Sequence, residues 1–453
     1  MLKYFYTIVI SALLLGLAGC RKYVEVDPVN VRILNKTADY QALLYYSTLM
    51  ETAYTNPIFA SDDAESDDIR WQNSLSTSVA NTYSWASKIY SEVEEDADWQ
   101  KLHQQLYVCN TVIEGVLTSV DGTDEQKKAV WSAALVHRAF IFYTLVNIYA
   151  KQYDASTAAT DPGIPLVLGT KFFTDLSRAS IAKVYEQIES DLNNALPALN
   201  NTPDYSTNPS KAAVYAMLAR VNLNKRNFPE AKRNAELALS LKGTLLNLNP
   251  IAAAPTTHPN RILNPEIIFF KRISSFPVAL PLSASLENLF NRSDIRYTLF
   301  TAPASVFYMA TFTNRSYAKH RVTDAINTGP SVPEMMLIKA ECEARSNNVD
   351  GAMVAVNTLR QTRFKPVDYV PFAASSSADA LRIVIEERRR EMMGTGMRWF
   401  DQRRLAKEAG LISTVTRVFK GSTLTLEPNG NRYTFPIGDK YIQYNPEITQ
   451  NPR

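Results

Sequence analysis

Cysteine is scarce in this chain: Cys20, Cys109 and Cys342 are all it has, too few for a disulfide framework. Histidine is scarce too, with four residues. His103 and His137 have no helical partner at a metal-ligand spacing such as HExxH, and both read as structural. A nucleophile elbow and a Walker loop are absent as well. No pair of carboxylates stands out for glycoside hydrolysis, since the acidic residues fall at helical ion-pair spacing or in one loop. Charge of one sign is also missing. Forty-eight basic against 45 acidic residues leaves no field to steer a nucleic acid, and none is expected as a partner.

With 453 residues, 46% of them hydrophobic, the chain can build one large unit or two or three domains. Its start is that of an exported protein. Lys3 precedes the apolar run Ile8–Leu17, too short to span a membrane but right for a secretory signal. The run ends in Leu17-Ala18-Gly19-Cys20, which resembles a bacterial lipobox, where small residues admit the peptidase and the thiol takes the lipid. The other reading is plain secretion with Cys20 left in a discarded peptide. Lipidation assigns residues 1–19 to the signal, 20–35 to a lipidated tether and 36–453 to the body. Several acyl chains make a stable anchor where one is marginal.

Apolar spacing in the body predicts mostly helices, from about Thr37–Thr52, Asp96–Val120, Asp124–Lys151, Ile181–Leu196 and Ser210–Lys225. Thr123 and Gln126 form a capping-box pattern, as do Ser331 and Glu334. Ala340, Asn348 and Ala352 lie 121 residues after Ala219, Asn227 and Ala231. Both sets read as helix, short Asn-containing turn, helix, the pattern of tetratricopeptide-like pairs whose alanines permit close crossing. Between them, residues 243–330 break the pattern with many prolines, and Asn264–Phe270 reads as a turn into a short strand. An excursion of this length between helix pairs is uncommon without a use, so 243–330 is expected to be a ligand-facing, loop-rich insertion. Asn429-Gly430, between short alternating runs in 416–435, predicts a C-terminal β-hairpin.

Two loops invite functional readings. In Ser61–Asp68, Asp63, Glu65 and Asp67 alternate as calcium ligands do, but the glycine and closing glutamate of an EF-hand loop are missing. Solvated charge is the preferred reading, a structural calcium the lesser one, and no other cofactor is indicated. Residues 69–90 lack periodicity yet carry Trp71, Tyr83 and Trp85. Such rings can stack on the C–H faces of sugars while Arg70 and Asn73 bind hydroxyls; the competing reading is a local packing plug. Tyr297, Tyr308 and Tyr317 in the excursion extend the candidate set.

The stretch Glu386–Leu405, EERRREMMGTGMRWFDQRRL, organises the rest. Arg388 shares a helical face with Leu381, Val384, Ile385 and Met392, so it is expected to be buried and to need a carboxylate, with Glu341 as a guess. Gly394 and Gly396 end that helix. Glu386 and Glu387 with Arg390, and Asp401 with Arg404, sit at ion-pair spacing, which favours a structural hub over a phosphate site.

This run resembles the C-terminal signature of the SusD/RagB family. So do Asp161–Leu166, Asn264-Pro265-Glu266-Ile267, Asp294-Ile295-Arg296 and the Asn445–Pro452 terminus. The resemblance implies a mainly α protein: a tetratricopeptide-like scaffold, an irregular ligand-facing subdomain and a small hairpin. It also implies a lipid-anchored outer-membrane protein at the cell surface. Such a protein captures an oligosaccharide, or a peptide as in RagB-type members, for a SusC-type TonB-dependent transporter without catalysis. In that family, aromatics of the 69–90 region contact ligand, and Asp294–Arg296 is a structural pair.

Overall fold

Helices begin where the sequence supplies a cap. The computed structural model describes residues 34–171, 175–308 and 310–453, and Lys36–Arg453 forms one compact unit. The signal 1–19, Cys20 and nearly all of the tether lie outside the described residues. Asp96 accepts from the Asp98 and Trp99 amides and opens α1 (Ala97–Gly115). The Thr123–Gln126 capping box opens α2 (Asp124–Tyr149). Ser180 caps α3 (Ile181–Ala195) and Ser210 caps α4 (Lys211–Asn224). Pro229 sits in the first turn of α5 (Phe228–Leu241), where its missing N–H costs nothing. The remaining long helices are α6 (Val332–Arg345), α7 (Val349–Gln361), α8 (Ser377–Glu391) and α9 (Met397–Leu405).

From α1 to α7 each helix packs on the one before it, and α8 lies against both α6 and α7. The fold is mainly α. The internal repeat is visible in the backbone: Arg226 and Asn347, 121 residues apart, take left-handed φ angles of 62° and 63° where each pair turns. Ala219, Ala231, Ala340 and Ala352 are all sealed at the crossings. Ser331, by contrast, makes no side-chain cap, because Glu334 is drawn inward to an arginine.

Strands are few. β1 (Pro162–Pro165) pairs with β2 (Arg178–Ser180), and β3 (Thr301–Pro303) with β4 (Arg315–Tyr317), each antiparallel. The expected strand at 264–270 reduces to a single bridge, Ile267 to Ser331. The C-terminal hairpin joins β5 (Val415–Phe419) to β6 (Ser422–Leu426). It turns at Lys420-Gly421, with φ of 48° and 81°, rather than at Asn429-Gly430. Both central residues are left-handed, as a tight hairpin turn requires. The helix expected at 37–52 breaks at Tyr45 into Thr37–Leu44 and Ser47–Met50.

Residues 69–90 are more regular than their composition suggests. They hold two short helices, Ile69–Ser74 and Thr77–Tyr83. These pack into one core with the 243–330 excursion: Phe59, Trp71 and Tyr83 meet Leu280, Phe300, Phe312 and Tyr317. The excursion is therefore a cored part of the body with an outer surface, not a loose insertion.

Candidate ligand-binding surface

The arginine-rich stretch builds the frame beneath this surface. Arg388 is buried and its Nε donates to Asp401 at 2.8 Å, while Nη2 lies 3.4 Å from Glu334. Glu341, the guessed partner, instead takes a two-pronged contact from Arg404 at 2.7 and 2.8 Å. Burial alone would raise the Glu341 carboxyl, but Arg404 and Arg345 outweigh it and bring it down to about 2. Glu387 pairs with Arg390 at 2.8 Å and Asp401 with Arg404 at 2.7 Å, while Glu386 turns to Arg382. Arg296 bonds Asp294, Glu387 and Glu391, so the Asp294–Arg296 pair is structural. α8 ends at Glu391 with Met392 as its cap, before either glycine; Gly394 turns the link at φ of 74°, and Gly396, at 77°, opens α9, where a Cβ would meet the Tyr54 ring at 2.9 Å.

The same stretch claims the acidic loop. Arg398 binds Asp62 through two bonds of 2.7 and 2.8 Å, and Arg389 Nε donates to Asp63 at 2.6 Å. Asp62 and Asp63 are thus neutralised inside the protein rather than solvated. Asp68 caps the Ile69–Ser74 helix and holds Arg70 at 2.7 Å. Among the described residues no cluster of three or more metal-ligating side chains forms. With Asp63 taken by Arg389, the alternating calcium set loses its first member.

The candidate aromatics divide sharply. Trp71, Tyr83, Trp85, Tyr297 and Tyr317 are buried, Trp85 at 0% exposure. This corrects the expectation that they form an open stacking platform, and the reason is tertiary. Arg417, delivered by β5, inserts its guanidinium 3.8 Å from the Tyr83 ring centre and 4.4 Å from that of Trp85. It donates to the carbonyls of Tyr83, Ser61 and Ala64. Trp85 Nε1 donates to the Ala60 carbonyl at 2.8 Å, and Trp71 packs edge-on against Tyr83. Tyr317 donates to the Asp63 carbonyl at 2.8 Å; Tyr297 donates to Glu287 at 2.9 Å and carries Arg315 over its ring. The packing-plug reading describes these five. Arg70 and Asn73 remain on the surface, Arg70 tied to Asp68.

Tyr308 is the exception, exposed at 98%. It follows Phe307, a buried ring at the end of a short row that lies beneath this surface. Phe276 lies 5.2 Å from His320, and His320 lies 6.0 Å from Phe307, the neighbour of Tyr308. Arg321 covers the Phe307 ring at 5.3 Å, and Val278 and Val306 are exposed nearby in sequence. Sequence reasoning missed Phe276, Phe307 and His320. Their only signals were the Phe307-Tyr308 pair and the Ser275-Phe276-Pro277 run, both in irregular stretches.

Two family models match the chain. One, described as "Starch-binding associating with outer membrane", matches residues 22–223; the other, "SusD family", matches residues 301–453. The chain belongs to the SusD/RagB family. Solved structures agree on the SusD-like fold. A Bacteroides vulgatus protein superposes with a TM-score of 0.73 at 20% identity, covering 93% of this chain and 99% of its own. A SusD superfamily protein from Bacteroides thetaiotaomicron gives 0.72 at 18% identity, covering 92% and 100%. A laminarin-binding SusD-like protein gives 0.67 at 16% identity, covering 92% and 98%. No curated protein gives a significant sequence match.

Within this SusD fold, the neighbouring carboxylates Asp96 and Asp98 are sealed. Burial raises the Asp98 carboxyl well above its usual range, and the neighbouring Asp96 adds to it. A raised carboxyl suits an acid catalyst when it faces a cleft. Here Asp98 accepts from the Thr55 and Asn56 amides at 2.9 Å, and Asp96 accepts from Tyr149 at 2.6 Å and Tyr90 at 3.1 Å. Both residues are buried, and they hold the entry to α1 against the 53–56 turn.

Proposed function

We propose that this SusD/RagB protein captures an oligosaccharide at the cell surface and passes it, chemically unchanged, to a SusC-type TonB-dependent transporter. Its membership of a family described as starch-binding and associated with the outer membrane supports the ligand class and the location. The fold neighbour that binds laminarin supports a glycan ligand in the same way. Cys20 would carry the lipid that anchors it.

The observation that carries the reading is the exposed ridge at Tyr308. It combines an open phenol ring, flanking apolar side chains and a cationic edge on a frame locked by buried ion pairs. An exposed phenol ring offers a face that can stack on the C–H face of a pyranose. Calorimetric titration of the full-length protein with laminarin, maltoheptaose and a tetrapeptide mixture tests it. Saturable heat with a glycan and no turnover of it supports the proposal. Heat with the peptides alone replaces oligosaccharide by peptide, and sustained hydrolysis of a glycan would sink the binding reading.

A further inference from the structure

A second concave site lies on the helical scaffold and shares no residue with the Tyr308 ridge. Two adjoining cavities of about 180 Å3 each have Leu44, Tyr45, His137 and Asn208 in common. Together they reach the lower end of the size range of small-ligand pockets. Tyr45 and Tyr205, exposed at 55% and 56%, flank them. Gln41, Asp204, Asn200 and Thr207 supply polar groups to the walls.

His137, only 3% exposed, lines both cavities. Its Nδ1 is bonded to Lys271 Nζ at 2.9 Å. Its other ring nitrogen, Nε2, has no hydrogen-bond partner among the described residues. When Lys271 donates to Nδ1, the neutral ring must carry its proton on Nε2. Burial and the Lys271 charge both hold the imidazole neutral, well below its usual titration range. An Nε2–H without a protein acceptor is open to an oxygen placed in the cavities that His137 lines.

The Tyr45 hydroxyl and the backbone beside Tyr205 are held in place. Gln41 Nε2 donates to the Tyr45 hydroxyl at 2.7 Å. The Tyr205 loop is pinned by Ser206, whose hydroxyl donates to the Arg261 carbonyl at 2.6 Å and whose carbonyl accepts from the Phe270 amide at 2.6 Å. The charges facing the site argue against an anion. Asp204 is a carboxylate, the Arg261 guanidinium is taken by Glu51 at 3.2 Å and by Asp324 at 2.6 Å, and Lys271 is fully buried behind His137. Two flat rings, amides, one carboxylate and a neutral imidazole donor match a polyhydroxylated, uncharged ring.

We propose that this groove is a separate saccharide-binding site, in which Tyr45 and Tyr205 stack on sugar rings and His137 Nε2 donates to a sugar oxygen. The ligand class rests on the reading of the protein as an oligosaccharide binder; the location does not. The full-length protein carrying 3-fluorotyrosine, with resonances assigned by Tyr45→Phe, Tyr205→Phe and Tyr308→Phe, is titrated with maltoheptaose and with laminarihexaose. Saturable shifts at Tyr45 and Tyr205 are expected, and Tyr205→Ala weakens that response about tenfold while leaving Tyr308 unaffected. Shifts at Tyr308 alone overturn the groove and leave the ridge standing. Shifts at Tyr45 and Tyr205 alone uphold the groove and remove the ridge. No shift at any of the three with either glycan overturns both.

Discussion

Arg220 in the first repeat pair and Glu334 in the second are joined inside the protein, Nε to Oε1 at 2.8 Å and Nη2 to Oε2 at 2.6 Å. Glu334 also faces Arg388, 3.4 Å away, so one carboxylate ties α4, α6 and α8 together. Guanidinium groups cannot shed their charge, so this carboxylate is the counter-charge of Arg220 and a second one for Arg388 beside Asp401. Glu334→Ala should cost about 3–5 kcal/mol and lower the melting temperature sharply. An unchanged thermal transition would mean that the repeat pairs are held by apolar packing alone. Arg388→Ala, which leaves Asp401 to Arg404 alone and Glu334 to Arg220 alone, should reduce folded yield.

Arg417 closes the aromatic box from a distant part of the chain. Arg417→Leu keeps apolar bulk but leaves the Tyr83, Ser61 and Ala64 carbonyls without their donor, at about 1–3 kcal/mol for each buried acceptor left bare. The expected result is a red-shifted tryptophan emission and a lower melting temperature. A variant with unaltered emission would show that water already reaches Trp85.

Burial separates two kinds of aromatic substitution. Trp71→Ala and Trp85→Ala should each destabilise the fold by about 3–5 kcal/mol, because they empty a packed core. Tyr308→Ala should leave folding stability within about 0.5 kcal/mol of the parent and weaken glycan retention in affinity electrophoresis. Retention that survives Tyr308→Ala in full would remove the ridge from the ligand site.

Lys271 makes stability depend on pH. Its ammonium donates to the Met50 carbonyl and sits over Phe140 and Phe269. Burial brings its pKa down to about 7, against the smaller upward pulls of Cys109 and Glu51. The Cys109 thiol is itself pushed up to about 12 by burial. A depressed amine means that the unfolded chain binds more protons than the folded one between the two pKa values. The Lys271 contribution therefore favours folding above the unfolded value and is lost as pH falls toward 7. Chemical denaturation from pH 6.5 to 9.5 should show Lys271→Met flattening that segment of the profile. A slope identical to the parent's would place the titration elsewhere.

Cys20→Ala tests the anchor directly. The protein should leave the membrane fraction for the soluble one on cell fractionation. Retention in the membrane fraction would refute lipidation at Cys20.

Helix periods, caps and the 121-residue offset depend on neighbours within a few positions, so α1–α7 and the repeat could be read from the chain directly. The family motifs were legible for the same reason, being contiguous. A buried Arg388 followed from its place on an apolar face, but its partner did not. Asp401, thirteen positions on, and Glu334 on another helix are brought to it only by the crossing of α6, α8 and α9. The aromatics went the other way. Trp71, Tyr83 and Trp85 sit in a polar stretch whose composition suggests exposure. They are sealed by Arg417, more than 300 residues away, and by the core they share with the excursion. Likewise, Tyr45, His137 and Tyr205 carry no motif. A side chain's inward or outward direction is local, whereas what covers it, and which cavity it borders, depends on segments that meet only when the whole chain packs.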